Sequence, residues 1–111
     1  MKSQHLEIKL DEIEAFFFDF DGVLTNNMVY LNQDGVESVV CSRADGLGFD
    51  VLNKTNTPVW IFSTDRNEVV LKRANKLRVA VINAISNKFD SLNKLAEKEA
   101  LNLSKCVYVG N

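Results

Sequence analysis

A short apolar run from Ile13 to Phe18 ends abruptly at Asp19-Phe20-Asp21-Gly22, and this junction limits what the chain can be. Apolar residues in succession, without alternation, read as a strand buried on both faces of a sheet. Strands of that kind belong to parallel sheets covered by helices. Two carboxylates two residues apart at the strand's end repel each other unless something neutralises them. A solvated loop start is the plain alternative for these two acids. Three phenylalanines before them and Gly22-Val23-Leu24-Thr25 behind them weigh against it.

The rest of the chain alternates between buried-strand and amphipathic-helix patterns. Met28–Leu31 and Val36–Cys41 flank Asn32-Gln33-Asp34-Gly35, where the Asp-Gly pair suits a turn with positive φ, so a β-hairpin is expected over 28–41. Leu47 and Val51, and Gly48 and Leu52, are spaced as on one helix over 45–54, and its glycines suggest one side set flush against a neighbour. Pro58-Val59-Trp60-Ile61-Phe62 reads as a second buried strand, with proline at its first position. Asp65 three residues before Glu68 resembles a capping box, opening a helix to about Leu77 with Val70, Ala74 and Leu77 facing inward. Val79–Ile82 is a third strand. Asn87–Leu101 is a third helix, its faces marked by Phe89, Leu92, Leu95, Ala96 and Glu99. Lys105–Val109 is a fourth strand, and only residues 1–10 look like a polar extension, leaving 11–111 as the core. Such alternation argues for an α/β fold with a parallel sheet and right-handed crossovers.

Ligands of open parallel sheets bind beyond the carboxyl ends of the strands. The first strand delivers Asp19 and Asp21 there, the second Ser63 and Thr64, the third leads to Ser86, Asn87 and Lys88, and the fourth delivers Gly110 and Asn111. Each type suits phosphoryl transfer. A hard cation such as Mg²⁺ fits paired carboxylates and keeps places for water and a phosphate oxygen. One carboxylate is then a candidate nucleophile and its neighbour a proton carrier. Hydroxyls can hold the equatorial oxygens, and an ammonium can offset their charge.

The stretch Phe16-Phe17-Phe18-Asp19-Phe20-Asp21-Gly22-Val23-Leu24-Thr25 resembles the first motif of the haloacid dehalogenase (HAD) superfamily. Ser63 matches the second motif, Lys88 the third, and Val107-Tyr108-Val109-Gly110-Asn111 the lead-in to the fourth. The resemblance runs from about Ile13 to the end. The hairpin directly after the first motif, Asp45-Gly46-x-Gly48, and the lack of room for a cap domain resemble the capless branch. That branch holds the 3-deoxy-manno-octulosonate 8-phosphate and nonulosonate 9-phosphate phosphatases and the C-terminal domains of acylneuraminate cytidylyltransferases. Ser63-Thr64-Asp65-Arg66-Asn67 and Lys72–Leu77 look most like its sialate-linked members.

The resemblance implies a Rossmann-like HAD core with a hairpin flap. It implies Asp19 as nucleophile and Mg²⁺ ligand, and Asp21 as general acid/base that binds the metal through its carbonyl. Ser63 would hold the phosphoryl group, Lys88 would balance its charge, and Thr64 is an even choice between ligand contact and helix cap. Arg43 and Arg66 are weaker candidates for an anionic sugar acid, and Asp45 is an equal candidate for the cap of its own helix. The family also implies a homotetramer in which the 28–41 hairpin covers a neighbour's site. Its fourth motif continues into further aspartates that complete the metal site, and its last strands and helix follow. The expectation is therefore a chain that lacks the C-terminal part of the fold and turns over weakly or not at all in this form.

Bulk properties narrow the alternatives. The 111 residues are 46% hydrophobic and 25% charged, with a formal net charge of -2, which gives no electrostatic reason to expect nucleic acid. No apolar run is long enough to span a bilayer, and Met1–Leu10 lacks a signal peptide's apolar stretch, so a cytoplasmic protein is expected. Cys41 and Cys106 read as reduced thiols, His5 as solvated, and Trp60 and the phenylalanines as core. The leading expectation is a Mg²⁺-dependent phosphomonoesterase for a sugar-acid phosphate. The alternative is a tetramer-forming, weakly catalytic or non-catalytic domain of an acylneuraminate cytidylyltransferase. A response-regulator receiver fits poorly, because the second strand ends in Ser63-Thr64 rather than an acceptor aspartate.

Overall fold

The structure is a computed structural model that describes residues 9–66, 68–83 and 85–110. The polar leader up to residue 8, with His5, lies outside the described residues, as do Asn67, Ala84 and Asn111.

The apolar run becomes strand β1 (Ala15–Asp19), and it sits inside the sheet. Two short strands β2 (Tyr30–Leu31) and β3 (Glu37–Ser38) follow, then β4 (Val59–Phe62), β5 (Ala80–Ile82) and β6 (Cys106–Val109). Helices α1 (Arg43–Asn53), α2 (Val69–Leu77) and α3 (Lys88–Lys98) connect them. The main sheet has the order β5-β4-β1-β6, with every pair parallel. From β1 the chain steps through α1 to β4 and through α2 to β5. It then returns through α3 across the sheet to the other side of β1. The reversal makes the carboxyl end of β1 the topological switch point, where such sheets leave a crevice.

Alternation along β1 divides the core in two. Phe16 and Phe18 face the layer that holds Phe49 of α1 and Val70, Ala74 and Leu77 of α2. Ala15 and Phe17 face Leu92 and Leu95 of α3, together with Trp60 and Phe62. This two-residue period is the geometry of a strand. The inner-face positions expected for α2 are therefore observed. Phe17 stacks on Trp60 at 5.7 Å and meets Phe62 edge-on at 5.4 Å. Pro58 stands just ahead of β4, where its carbonyl accepts the Phe16 N–H at 3.0 Å and its own missing N–H is not needed.

Several local expectations are corrected. Helix α1 is capped by Ser42, whose hydroxyl accepts the Ala44 N–H at 3.2 Å, so Asp45 is a first-turn acid and not the cap. Its buried side carries Phe49 and Leu52, while Leu47 is 72% exposed and a Cβ on Gly46 or Gly48 would meet nothing within 4 Å. The glycines of α1 are thus not set flush against any described neighbour. Asp65 and Glu68 form no capping box: α2 begins at Val69, and Glu68 makes no side-chain cap bond. The Asp65 N–H is instead taken by the Ser63 hydroxyl at 3.1 Å, a local turn that delays the helix. Thr64 is not the cap either. In α3, Leu95 and Ala96 are buried as expected, but Phe89 is 71% exposed, because the first turn of the helix stands beyond the sheet's cover.

The hairpin forms, with Gly35 at φ 78° and Asn32 accepting N–H bonds from Asp34 and Val36. Its ladder is shorter than the flanking apolar runs. Met28, Tyr30, Leu31 and Val36 are exposed, and a two-stranded ribbon without a covering layer has little to hold it longer. Both cysteines are free, and among the described residues no helix is long and apolar enough to cross a membrane.

Candidate active site

Asp19 is the last residue of β1, and it continues the face of Ala15 and Phe17, toward α3. It is only 6% exposed. A carboxylate so far removed from water needs a partner. Asn87 caps α3 by accepting the Asp90 N–H at 3.1 Å, and this fixes the helix start so that Lys88 is its first residue. The Lys88 Nζ lies 2.7 Å from Asp19 Oδ1, the ion pair seen among the described residues. A cation at a helix N-terminus opposes the helix dipole. The buried carboxylate offsets that cost.

A second donor reaches the same oxygen. In the β1–β6 register Phe17 pairs with Tyr108, whose ring stacks on Phe17 at 6.3 Å, and the Tyr108 hydroxyl donates to Asp19 Oδ1. Burial first, and then the bond to Asp19, push the Tyr108 phenol well above its ordinary range, so it remains a donor at neutral pH. Beyond Tyr108 the backbone passes so near that a Cβ on Gly110 would stand 3.0 Å from Asp19 Oδ2. Glycine keeps that oxygen open.

Asp21 lies in the tight turn after β1. Gly22 takes φ 79° there, and the buried Thr25 holds the turn by accepting N–H bonds from Gly22 at 3.2 Å and Asn27 at 3.1 Å. Burial raises the Asp21 pKa above its ordinary value, and the Asp65 carboxylate raises it further. Lys88 pulls the other way, and Asp19 adds a smaller push. A carboxyl held up in this way is suited to carry a proton. Asp21 and Asp65 line a cleft shared with Thr25 and with Met28 and Glu37 of the hairpin arm.

Ser63 follows β4 and is 2% exposed. Its N–H donates to the Ile82 carbonyl and its carbonyl accepts from Ile85, so the hydroxyl is set on fixed backbone beside Asp19's strand. Thr64, Arg43 and Arg66 are exposed, and neither arginine forms an ion pair with Asp19 or Asp21 among the described residues. The structure therefore brings Asp19 and Lys88 into contact, with Asp21 close enough to feel both. It adds Tyr108 and Asp65, which the sequence reading did not single out as site residues. Tyr108 carried one usable signal: it lies one alternation below the end of a strand adjacent to β1.

Among the described residues no three acidic, histidine or cysteine side chains are grouped to hold a metal. What the rim offers is hard oxygen: the open Asp19 Oδ2 beside the Gly110 backbone, and the Asp21 turn. This suits an ion such as Mg²⁺, which is bound through one or two carboxylates and keeps several waters and substrate oxygens.

No protein-family model matches the chain. It is 28% identical over 110 residues to the 3-deoxy-D-manno-octulosonate 8-phosphate phosphatase of Salmonella typhi, covering 98% of this chain and 58% of that one. The fold superimposes on the 3-deoxy-D-manno-octulosonate 8-phosphate phosphatase of Moraxella catarrhalis, solved with magnesium, phosphate and the sugar acid. The TM-score there is 0.84 and the identity 29%, over 90% of this chain and 58% of that one. A protein assigned to the HAD family of hydrolases from Streptomyces avermitilis gives a TM-score of 0.87 at 38% identity, over 91% and 58% of the two chains. The chain is similar to members of the HAD superfamily. Its similarity lies with the octulosonate 8-phosphate phosphatase branch, and its four parallel strands and flanking helices match the fold of these HAD neighbours. The chain spans little more than half the length of these HAD relatives.

Proposed function

We propose that the protein is a phosphomonoesterase that removes phosphate from a sugar acid, of the octulosonate 8-phosphate or nonulosonate 9-phosphate type. The observation that carries this reading is the buried Asp19 carboxylate held by Lys88 at the carboxyl end of β1. Support for the substrate class comes from the similarity to octulosonate 8-phosphate phosphatases. Two of the matches named above are octulosonate 8-phosphate phosphatases and the third is a HAD family hydrolase, and none of them favours a cytidylyltransferase domain.

In this mechanism an Asp19 oxygen attacks phosphorus, the phosphoryl group moves to the aspartate, and the sugar oxygen leaves with a proton from Asp21. Asp21 then takes a proton from water, which attacks the aspartyl phosphate, releases inorganic phosphate and restores Asp19. Lys88 offsets charge on the equatorial oxygens, and the Ser63 hydroxyl donates to one of them. Asp19 and the Asp21 turn would hold Mg²⁺, which when bound neutralises the carboxylates and the phosphate. Thr64 would contact ligand from the edge of the cleft, and Arg43 and Arg66 would meet an anionic substrate only from a distance. By sequence we assign 11–111 to this core and 1–10 to an extension, and the protein acts in the cytoplasm as a homotetramer.

The test is phosphate release from a panel of sugar-acid phosphates by the natural full-length protein. The expected outcome is activity that needs Mg²⁺, disappears with EDTA while the far-UV spectrum holds, and is lost in Asp19→Asn. Silence toward every sugar phosphate would rule the reading out.

A further inference from the structure

We propose that Tyr108 is a positioning residue for Asp19: its phenol, together with Lys88, holds Oδ1 and so fixes the direction in which the carboxylate faces the rim. The inference rests on the phosphatase reading given above. A carboxylate turns about its terminal torsion, and a nucleophile that turns freely spends little time in line with phosphorus. Two donors on one oxygen restrict that torsion. Among the described residues both hydrogen bonds go to Oδ1, from the Lys88 ammonium and from the Tyr108 hydroxyl, and none goes to Oδ2.

The phenol is itself held in place. The Tyr108 ring stacks on Phe17 at 6.3 Å and 28° and meets Phe62 edge-on at 6.3 Å and 87°. Phe62 is paired in register with Asp19, so the ring is locked against β1, which carries the carboxylate, and against β4 beside it. The donor therefore costs little additional ordering. A Cβ on Gly110 would stand 3.0 Å from both Asp19 Oδ2 and the Tyr108 ring, so glycine there leaves room for the ring and the carboxylate to meet. Lys88 by itself is a flexible point charge with three rotatable donors, and it is also committed to the phosphate. Tyr108 supplies the fixed direction that Lys88 lacks.

The experiment compares wild type, Asp19→Asn and Tyr108→Phe in the natural full-length protein, under saturating Mg²⁺ with the best sugar-acid phosphate of the panel. Phenylalanine keeps the ring packing and removes only the hydroxyl. The expected result is a kcat lower by about 10- to 100-fold, the scale of a misplaced reactant, with KM within about twofold. The melting temperature should match wild type. A Tyr108→Phe enzyme with wild-type kcat, beside an active wild type and a dead Asp19→Asn, would overturn the inference and leave the phosphatase reading standing. A fall in kcat matched by a fall in melting temperature would also overturn it, because the hydroxyl would then be structural. An inactive wild type would remove the phosphatase reading and this inference with it.

Discussion

A carboxylate as buried as Asp19 is tolerable only where charge and hydrogen bonds meet it, and Lys88 supplies the charge. Lys88→Ala should lower phosphate release by about 100-fold or more, the scale of a lost electrostatic donor, and should also lower the melting temperature, because it leaves the buried Asp19 without its counter-charge. Steady-state kinetics beside circular dichroism checks both halves of that expectation. Thr25 acts at the same scale by a different means. Its hydroxyl accepts the Gly22 and Asn27 N–H groups inside the turn that carries Asp21. Thr25→Val keeps the shape and removes the acceptor, and urea unfolding should show a loss of about 1–3 kcal/mol. Wild-type stability in Thr25→Val would mean that water replaces the hydroxyl there.

Helix α3 is the element that turns packing into chemistry. Leu95 and Ala96 seat it on the sheet, and Asn87 caps the end that delivers Lys88. Asn87→Ala should cost about 1 kcal/mol in urea unfolding, the usual value of an N-cap. In the hairpin, Gly35 at φ 78° has open space around it, so Gly35→Ala tests backbone strain alone. The expected cost is about 1–2 kcal/mol, with no change in the spectrum of the folded state. The strands were legible because β1 and β4 are unbroken apolar runs ended by charge or hydroxyl. The helix caps were less so. Ser42, Asp45, Thr64 and Asp65 all have oxygens that can cap, and only the path of the chain decides which one meets a free N–H.

At the scale of the molecule, the core is sound and part of the surface is not covered. Ile61 and Phe62 are completely buried between the two layers. Ile61→Ala should destabilise by about 2–5 kcal/mol, read by urea unfolding, because the layers on either side cannot collapse into the gap. The hairpin arm instead exposes Met28, Tyr30, Leu31 and Val36 together. The tetramer proposed above would cover this patch. Tyr30→Ser combined with Leu31→Ser should convert a larger species to monomer in analytical ultracentrifugation, with the far-UV spectrum unchanged. An unaltered sedimentation coefficient would exclude the hairpin as the interface.

The sequence by itself determined the class of fold and which residues stand at the carboxyl ends of the strands. Unbroken apolar runs require burial on both sides, and strand–helix alternation then leaves few ways to connect them. Asp19, Asp21, Ser63 and Lys88 were readable because each follows a strand or opens a helix at a point where local pattern alone places it on one edge. Tertiary structure decided what no local pattern carries. Which oxygen of Asp19 is held depends on the parallel register that sets Tyr108 beside Phe17. The charge that Asp21 feels from Asp65 depends on where α2 starts. The exposure of Phe89 and Leu47 depends on how far the sheet extends beneath each helix. Register and cover arise between segments distant in sequence, and a strand's or helix's own residues record only which side is apolar, not what will lie against it.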